Sequence, residues 1–443
     1  MWPDRADAAL EIIEKGGVSY IAFDTMAEMT LPGLQKQRLD NPGKGYTDVR
    51  RASAEILPAC LRHGVKMITN AGGANPEAAW HIALEQARLR GLKGARIAVI
   101  TGDDTVGEAT LRRVRELQAK GASLAHADTG APLESVLDRV IAMSVYLGHE
   151  PITQALALGA GLVVTGRHTD SAMWLAPAAH EFGWPADDWD LMARGIVVGH
   201  LMECSGHVTG GNFSFWQEVP HPERLGFPIA EVYENGDAII TKVEGSGGLV
   251  SLRTCREQLL YEIHDPANYY TPDVVADFTT LRLEQVGPDR VRVSGASGKR
   301  RPDTLKACLA YRDGYFAEGF TFYAWPGALA KARRAAETLA KRYERLGLRF
   351  ESLRIDLAGV NALHGPLAPE PECELNEVAV RVAAKGPREG DILAAMREIY
   401  AMDLSGPAAA AGAFHAGPRE MIALWPTRVP RGEIAPGIRV EQV

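Results

Sequence analysis

Four short polar stretches hold the residues able to do chemistry. The first, Asn70-Ala-Gly-Gly-Ala-Asn-Pro76, follows the apolar run Val65 to Thr69. Glycine lets backbone N–H groups approach an anion, and a helix N-terminus adds partial positive charge. Asn70, Gly72, Gly73 and Asn75 are therefore candidate contacts to a phosphate, a carboxylate or a thioester carbonyl. Asn75-Pro76 also reads as a plain helix cap and first helical residue. The stretch fits neither the Walker pattern nor GxGxxG, so no nucleotide is implied. The second stretch, Gly102-Asp103-Asp104, sets two carboxylates side by side. They suit a divalent cation or ribose hydroxyls, or one of them caps a helix. No other cofactor or metal is expected.

The third stretch is Gly166-Arg167-His168-Thr169-Asp170. Arg167 can hold a carboxylate in bidentate fashion, with Thr169 beside it. Asp170 can orient the arginine or act as a base; the plain alternative is a surface ion pair. The fourth runs His200-Leu-Met-Glu203-Cys204-Ser-Gly-His207-Val-Thr-Gly210-Gly211-Asn212. If residues 191–204 are helical, His200, Glu203 and Cys204 share a face. Such a face suits an acid–base pair, a nucleophile with its base, or metal ligands. The plain alternative is a buried cysteine beside a satisfied histidine. Lys242, next to Gly245-Ser-Gly-Gly248, is a further candidate contact to an anion.

These stretches need strands and helices to place them. Val18 to Asp24, Val65 to Thr69, Ala95 to Thr101 and Gly161 to Thr165 read as strands. Asp48 to His63, Glu77 to Arg90 and Leu133 to Leu158, the last interrupted at Gly148-His-Glu-Pro151, have helical patterning between them. That alternation predicts an α/β fold with a mostly parallel sheet flanked by helices. Ligands of such sheets bind beyond the carboxyl ends of the strands. Farther on, Glu234-Asn-Gly-Asp237 and Gly287-Pro-Asp289 predict hairpins within 229–243 and 281–293. Residues 306 onward read as strand, helix, strand, strand, helix, a smaller α+β domain of split βαβ type. The boundary is set at 300, within the linker-like stretch Gly295 to Pro302, giving domains of 1–300 and 301–443. Gly406 to Gly417 reads as a loop. The aromatics Trp174, Trp184, Trp189, Phe213, Phe215 and Trp216 suit core positions or the wall of an apolar acyl pocket.

Composition narrows the partners. The 443 residues are 46% apolar and 23% charged, with a net charge of −8, which argues against a nucleic-acid footprint. The five cysteines form no CxxC pair, so neither a zinc ribbon nor a thioredoxin motif is present. No run is long and apolar enough for a membrane span, and no secretory signal opens the chain. The expectation is a cytoplasmic protein with no membrane and no nucleic acid, binding a small-molecule substrate as a homo-oligomer or with a small separate subunit.

Several of these stretches, read together, resemble the acyclic terpene utilisation (AtuA) family. They are Phe23-Asp-Thr-Met-Ala-Glu-Met-Thr30, Ile68 to Pro76, Tyr146-Leu-Gly148, Thr165 to Asp170, Gly199 to Cys204, Thr209 to Phe213, Gly226 to Glu231, Gln258 to Ile263 and Asn376 to Gly386. The resemblance implies breakdown of branched acyclic terpenoids through acyl-CoA intermediates. It also implies a glycine-rich opening strand ending near Pro3-Asp4-Arg5, and an extra ferredoxin-like C-terminal segment in longer relatives. This chain is expected to stop before that segment, which a separate partner polypeptide would supply. His207 falls outside the motif.

The leading expectation is a lyase or hydratase acting on an acyl-CoA or a related carboxylated branched acid. His200 and Glu203 would be its acid–base pair. The 70–76 and 209–212 loops would hold the enolate, and Arg167 would clamp a distal carboxylate. The alternatives are a hydrolase or transferase with Cys204 as nucleophile and His200 as base, and a non-catalytic acyl-binding subunit of a carboxylase-associated complex.

Overall fold

The computed structural model describes residues 5–443; Pro3 and Asp4 lie outside the described residues. The chain forms two compact units, 1–310 with 424–443, and 311–423. The sequence expectation of a single domain over 301–443 therefore differs from the structure. The last strand, Gly437–Gln442, returns to the first unit and pairs antiparallel with Arg96–Thr101. No local pattern announces such a distant pairing.

The first unit is built on the expected parallel sheet. Its strands are β1 (Tyr20–Phe23), β2 (Lys66–Thr69), β3 (Arg96–Thr101) and, after β4 (Asp104–Val106) and β5 (Val140–Val145), β6 (Leu162–Val164). Their order is β1-β2-β6-β3, closed at one edge by Gly437–Gln442. The period-2 geometry of a strand sends alternate residues to opposite faces. Met67, Ile97, Val99, Leu162 and Val164 pack with helices Ala6–Lys15, Leu57–His63 and Pro76–Leu89. Ile68, Ala98, Ile100 and Val163 pack with Glu150–Ala157 and Ala172–Phe182. Both faces are covered, which explains why these strands are apolar throughout. β1 forms the opposite edge and pairs only with β2 among the described residues.

Leu133 to Leu158 corrects its helical reading. Val140–Val145 is a fully buried strand, pairing antiparallel with β4; Glu150–Ala157 is the α-helix of the stretch, and Leu133–Ser135 and Leu137–Arg139 are single 3-10 turns. A short continuous apolar run has no period that separates strand from helix, and its pairing partners are remote in sequence. The hairpin within 229–243 is β7 (Pro228–Val232) and β8 (Ala238–Lys242); that within 281–293 is Arg282–Gly287 with Arg290–Ser294. These four strands form one antiparallel sheet with β7 at its edge. The supposed linker at 295–302 contains a strand, Ser297–Lys299, paired with Val275–Asp277.

The second unit holds residues 311–324 of the strand Thr304–Ala324, helix Ala328–Arg345, strands Ser352–Ala358 and Glu377–Gly386, helix Glu389–Ser405 and strand Ala410–His415. All pairings are antiparallel, the βαββαβ order of a split βαβ sandwich. The stretch read as a loop at 406–417 supplies its edge strand, Ala410–His415. No helix among the described residues is long and apolar enough to cross a membrane.

Candidate active site

The carboxyl ends of β1, β2, β6 and β3 carry Asp24, the 70–76 loop, the 166–170 loop and Asp103 with Asp104. Three of the four stretches read from sequence thus meet at one edge of one sheet. Asp24 is the residue that sequence reading missed. Asn70 is fully buried, and its Nδ2 donates to Asp24 Oδ1 at 2.6 Å. Its Oδ1 accepts from the Thr25 amide at 2.7 Å. Asn70 therefore fixes Asp24 and has no acceptor capacity idle. Gly72 lies against the Thr165 carbonyl, where a Cβ would fall 2.4 Å from the oxygen. Gly73 has φ +54° and abuts the Gly45 carbonyl. Asn75 caps the helix through the Ala78 amide, and its Nδ2 donates to the Pro42 and Lys44 carbonyls. In this loop Asn75 and the glycines serve the backbone, while Asn70 serves Asp24 and Thr25.

Arg167 is 2% exposed and sits at the centre. Its Nη1 donates to Asp170 Oδ1 and to the Met26 carbonyl, each at 2.7 Å. Its guanidinium carbon lies 4.2 Å from the Tyr146 ring centroid, and the Lys306 ammonium lies 4.7 Å from the same ring. Burial opposes the arginine's charge, but Asp170 and its other neighbours hold its pKa above the ordinary value. Its amide donates to Asp103 Oδ2 at 2.6 Å. His168 is buried with Nδ1 2.7 Å from Thr165 Oγ1, and burial lowers its pKa to about 3, so the ring is neutral. Thr169 donates its amide to the Leu147 carbonyl. Asp104 pairs with Arg38, and burial pushes its carboxyl up to about 6. The adjacent carboxylates thus have separate partners. Among the described residues no group of three or more His, Cys, Asp or Glu side chains is placed to hold a metal ion.

The fourth stretch is delivered by the helix Trp189–Glu203, capped by Asp188 through the Leu191 amide. Gly195 and Gly199 let this helix close on Leu175 and Ser171, where a Cβ would fall 2.3 and 2.4 Å from the nearest atoms. His200 and Glu203 are thereby buried on its inner face. His200 Nε2 lies 2.9 Å from the Gln258 carbonyl, so it must donate there. Nδ1 lies 2.9 Å from Glu203 Oε1, and the two groups share a proton across that contact. Both ring nitrogens are occupied, and none is left to take a proton from Cys204. Burial pushes the Cys204 thiol up to about 12. The helical spacing brought the three residues together as read, but the thiol has no base.

Burial also raises Glu203, while His200 opposes the shift and Asp24 and Glu262 add to it. Asp170 is pushed up to about 8 by burial, opposed by Arg167 and reinforced by Asp24 and Glu203. These carboxyls are close enough to resist joint ionisation. Burial, reinforced by Glu203 and Asp170, likewise raises Tyr269, another residue absent from the sequence reading. Glu203 Oε2, Asp103 Oδ1, Arg167 Nε, His168 Nε2 and Ser171 Oγ are buried without a hydrogen-bond partner among the described residues. Leaving such an atom unpaired costs about 1–3 kcal/mol, and of these residues Glu203 alone lies on the cavity wall.

Asp24, Thr25, Ala71, Met202, Glu203 and Lys242 lie on the wall of a cavity of about 620 Å³ that continues beside Trp174, Phe227 and Ile229. Lys242 pairs there with Asp289 at 3.2 Å and donates to the Ser246 carbonyl at 2.9 Å. Residues 209–212 do not line it. Thr209 Oγ1 bonds the Gly206 and Gly226 carbonyls, and Asn212 takes φ +53° in a turn. The cavity is thus apolar along much of its wall and carboxylate-rich at the carboxyl end of β1.

No curated protein and no solved structure matches the chain. The model of the acyclic terpene utilisation family protein AtuA matches residues 1–440, essentially all of it, and the chain belongs to that family.

Proposed function

We propose that this protein is a lyase or hydratase that moves water on or off a branched acyl-CoA or a related carboxylated acid. The observation that carries the reading is Glu203, a buried carboxyl on the wall of a largely apolar cavity, electrostatically linked to the half-buried Asp170. Acid–base chemistry at neutral pH needs one group able to give a proton and another able to take one. Burial keeps Asp170 protonated near neutrality. Glu203 is held by His200 through Oε1, leaving Oε2 unpartnered. In the dehydrating direction Glu203 Oε2 takes the α-proton and the β C–O bond breaks. Asp170 gives its proton to the departing hydroxyl, which leaves as water as the C=C bond forms. Asn70 holds Asp24 beside them, and His200 is a positioning residue. Membership of the family supports a branched acyclic chain in the cavity.

The test is incubation with enoyl- and 3-hydroxyacyl-CoAs of branched chains, reading gain or loss of one water by mass. Turnover is expected, with Glu203→Gln lowering it by about 100-fold or more. Folded protein that turns over none of them overturns the reading.

A further inference from the structure

Every cation on the cavity wall already has a carboxylate partner. The five are Arg5, Lys15, Arg51, Lys242 and Arg290. They lie 2.6–3.2 Å from oxygens of Asp7, Glu11, Glu55, Asp289 and Glu231 in turn. Lys242 alone of the five is buried, and its ammonium also serves the Ser246 carbonyl. The acids at the carboxyl end of β1 are not matched in this way. Asp24 is bonded to the neutral Asn70 amide, and Glu203 Oε2 has no partner among the described residues. Arg167, the other buried cation of the site, is joined to Asp170 at 2.7 Å and is not on the wall. A carboxylate entering here meets Asp24 and Glu203 with no idle cation to receive it among the described residues. Its lost hydration and the like-charge contact both go uncompensated. An uncharged carbonyl group escapes the like-charge contact and loses far less on leaving water. The chemistry points the same way. Taking the α-proton from a carboxylate puts a second negative charge on the ligand beside those acids, whereas a thioester or ester acquires only one.

We propose that the cavity admits its branched acyl group only in uncharged form, as a thioester, an ester or an amide, and rejects the free acid. This rests on the lyase or hydratase reading above and narrows its substrate. Anionic parts of such a derivative stay outside the cavity, and the chain inside it carries no second carboxylate. Arg167 then serves Asp170 and clamps no distal acid.

The experiment titrates the full chain with a saturated, unreactive branched alkyl group carrying either a primary amide or a carboxylate, two heads of nearly one shape that differ in charge. Calorimetry gives the affinities. At pH 7.5 the amide is expected to bind at least about tenfold more tightly than the acid. The acid is expected to gain on the amide as pH falls to 5.5 and its protonated form takes over. Glu203→Gln is expected to narrow the gap at pH 7.5, because it removes one of the like charges. Equal or tighter binding of the carboxylate at pH 7.5, a gap that neither pH nor Glu203→Gln moves, or no binding of the amide overturns the proposal. Turnover is scored separately, with thioesters and free acids of the same unsaturated or hydroxylated chain. A preference for the amide without hydration of any of them removes the reaction and keeps the selectivity of the cavity. Hydration of free acids as fast as of their thioesters does the reverse.

Discussion

Asp170 is held between an arginine that favours its charge and a setting that disfavours it. Burial, Asp24 and Glu203 prevail, placing its carboxyl near 8. The folded-state pKa thus exceeds that of the unfolded chain. Below about pH 4 the group is protonated in both states, and above about 8 it is ionised in both. Stability therefore falls as pH rises between them. Asp170→Asn stays neutral and keeps an oxygen for Arg167. Its stability relative to the wild type is expected to improve from pH 5 to 9, by no more than about 1.4 kcal/mol per pH unit. Thermal melts across that range check the sign; a variant that loses ground as pH rises would show Asp170 to be ionised in the fold. Cys204 gives a second residue-scale prediction. With its thiol near 12 and no base on His200, Cys204 should react with iodoacetamide far more slowly than exposed Cys373 at pH 7.5. Cys204→Ser should leave turnover within a few-fold of the wild type. The His200–Glu203 pair was legible because helix spacing is local. Asp24, Gln258 and Tyr269 were not, since each reaches the site from a segment that only the fold brings near.

At the scale of elements, the site depends on backbones meeting where no side chain fits. Gly166 passes Asp103 so closely that a Cβ would fall 2.2 Å from Oδ2, and the neighbouring amide of Arg167 is bound to that same oxygen. Asp103 thus sets the path of the 166–170 loop rather than binding a ligand from outside it. Gly166→Ala is expected to destabilise the protein by about 1–3 kcal/mol, the usual cost of overpacking. Asp103→Ala alone strips the Arg167 amide of its acceptor, at a similar cost. Combined, the two should cost less than their sum, because removing the carboxylate makes room for the methyl group. Denaturant unfolding of the four proteins measures this, and strict additivity would place the clash elsewhere. The strand ends themselves were readable, since glycine and asparagine punctuate them. β5 was not, because Val140 to Val145 is apolar at every position and owes its extended form to partners far along the chain.

For the whole molecule, the parallel sheet is completed by the last residues of the chain. Gly437–Gln442 pairs with Arg96–Thr101 along the full length of β3. Arg439 bonds Glu77, and Glu441 pairs with Arg88, so the strand is also tied to the helix Pro76–Leu89. Just before it, the Ala435 carbonyl lies 3.0 Å from where a Cβ of Gly102 would be. The C-terminus therefore supports the strand end that carries Asp103 and Asp104, although more than 300 residues separate them. Nothing in the sequence of 437–442 points to β3. The expected domain of 301–443 drew its boundary by chain order, whereas the first unit recruits residues 424–443 through space. Deleting residues 436–443 is therefore expected to weaken the first unit and spare the second. The loss includes six paired residues and the cover over one edge of β3, and exposes that edge to aggregation. Hydrogen exchange should show faster opening of residues 96–101 and of the 102–104 loop. Protection of strand Glu377–Gly386 in the second unit should be unchanged. Equal loosening in both units would mean that they unfold as one cooperative body; unchanged protection at 96–101 would mean that the C-terminal strand is dispensable to the sheet.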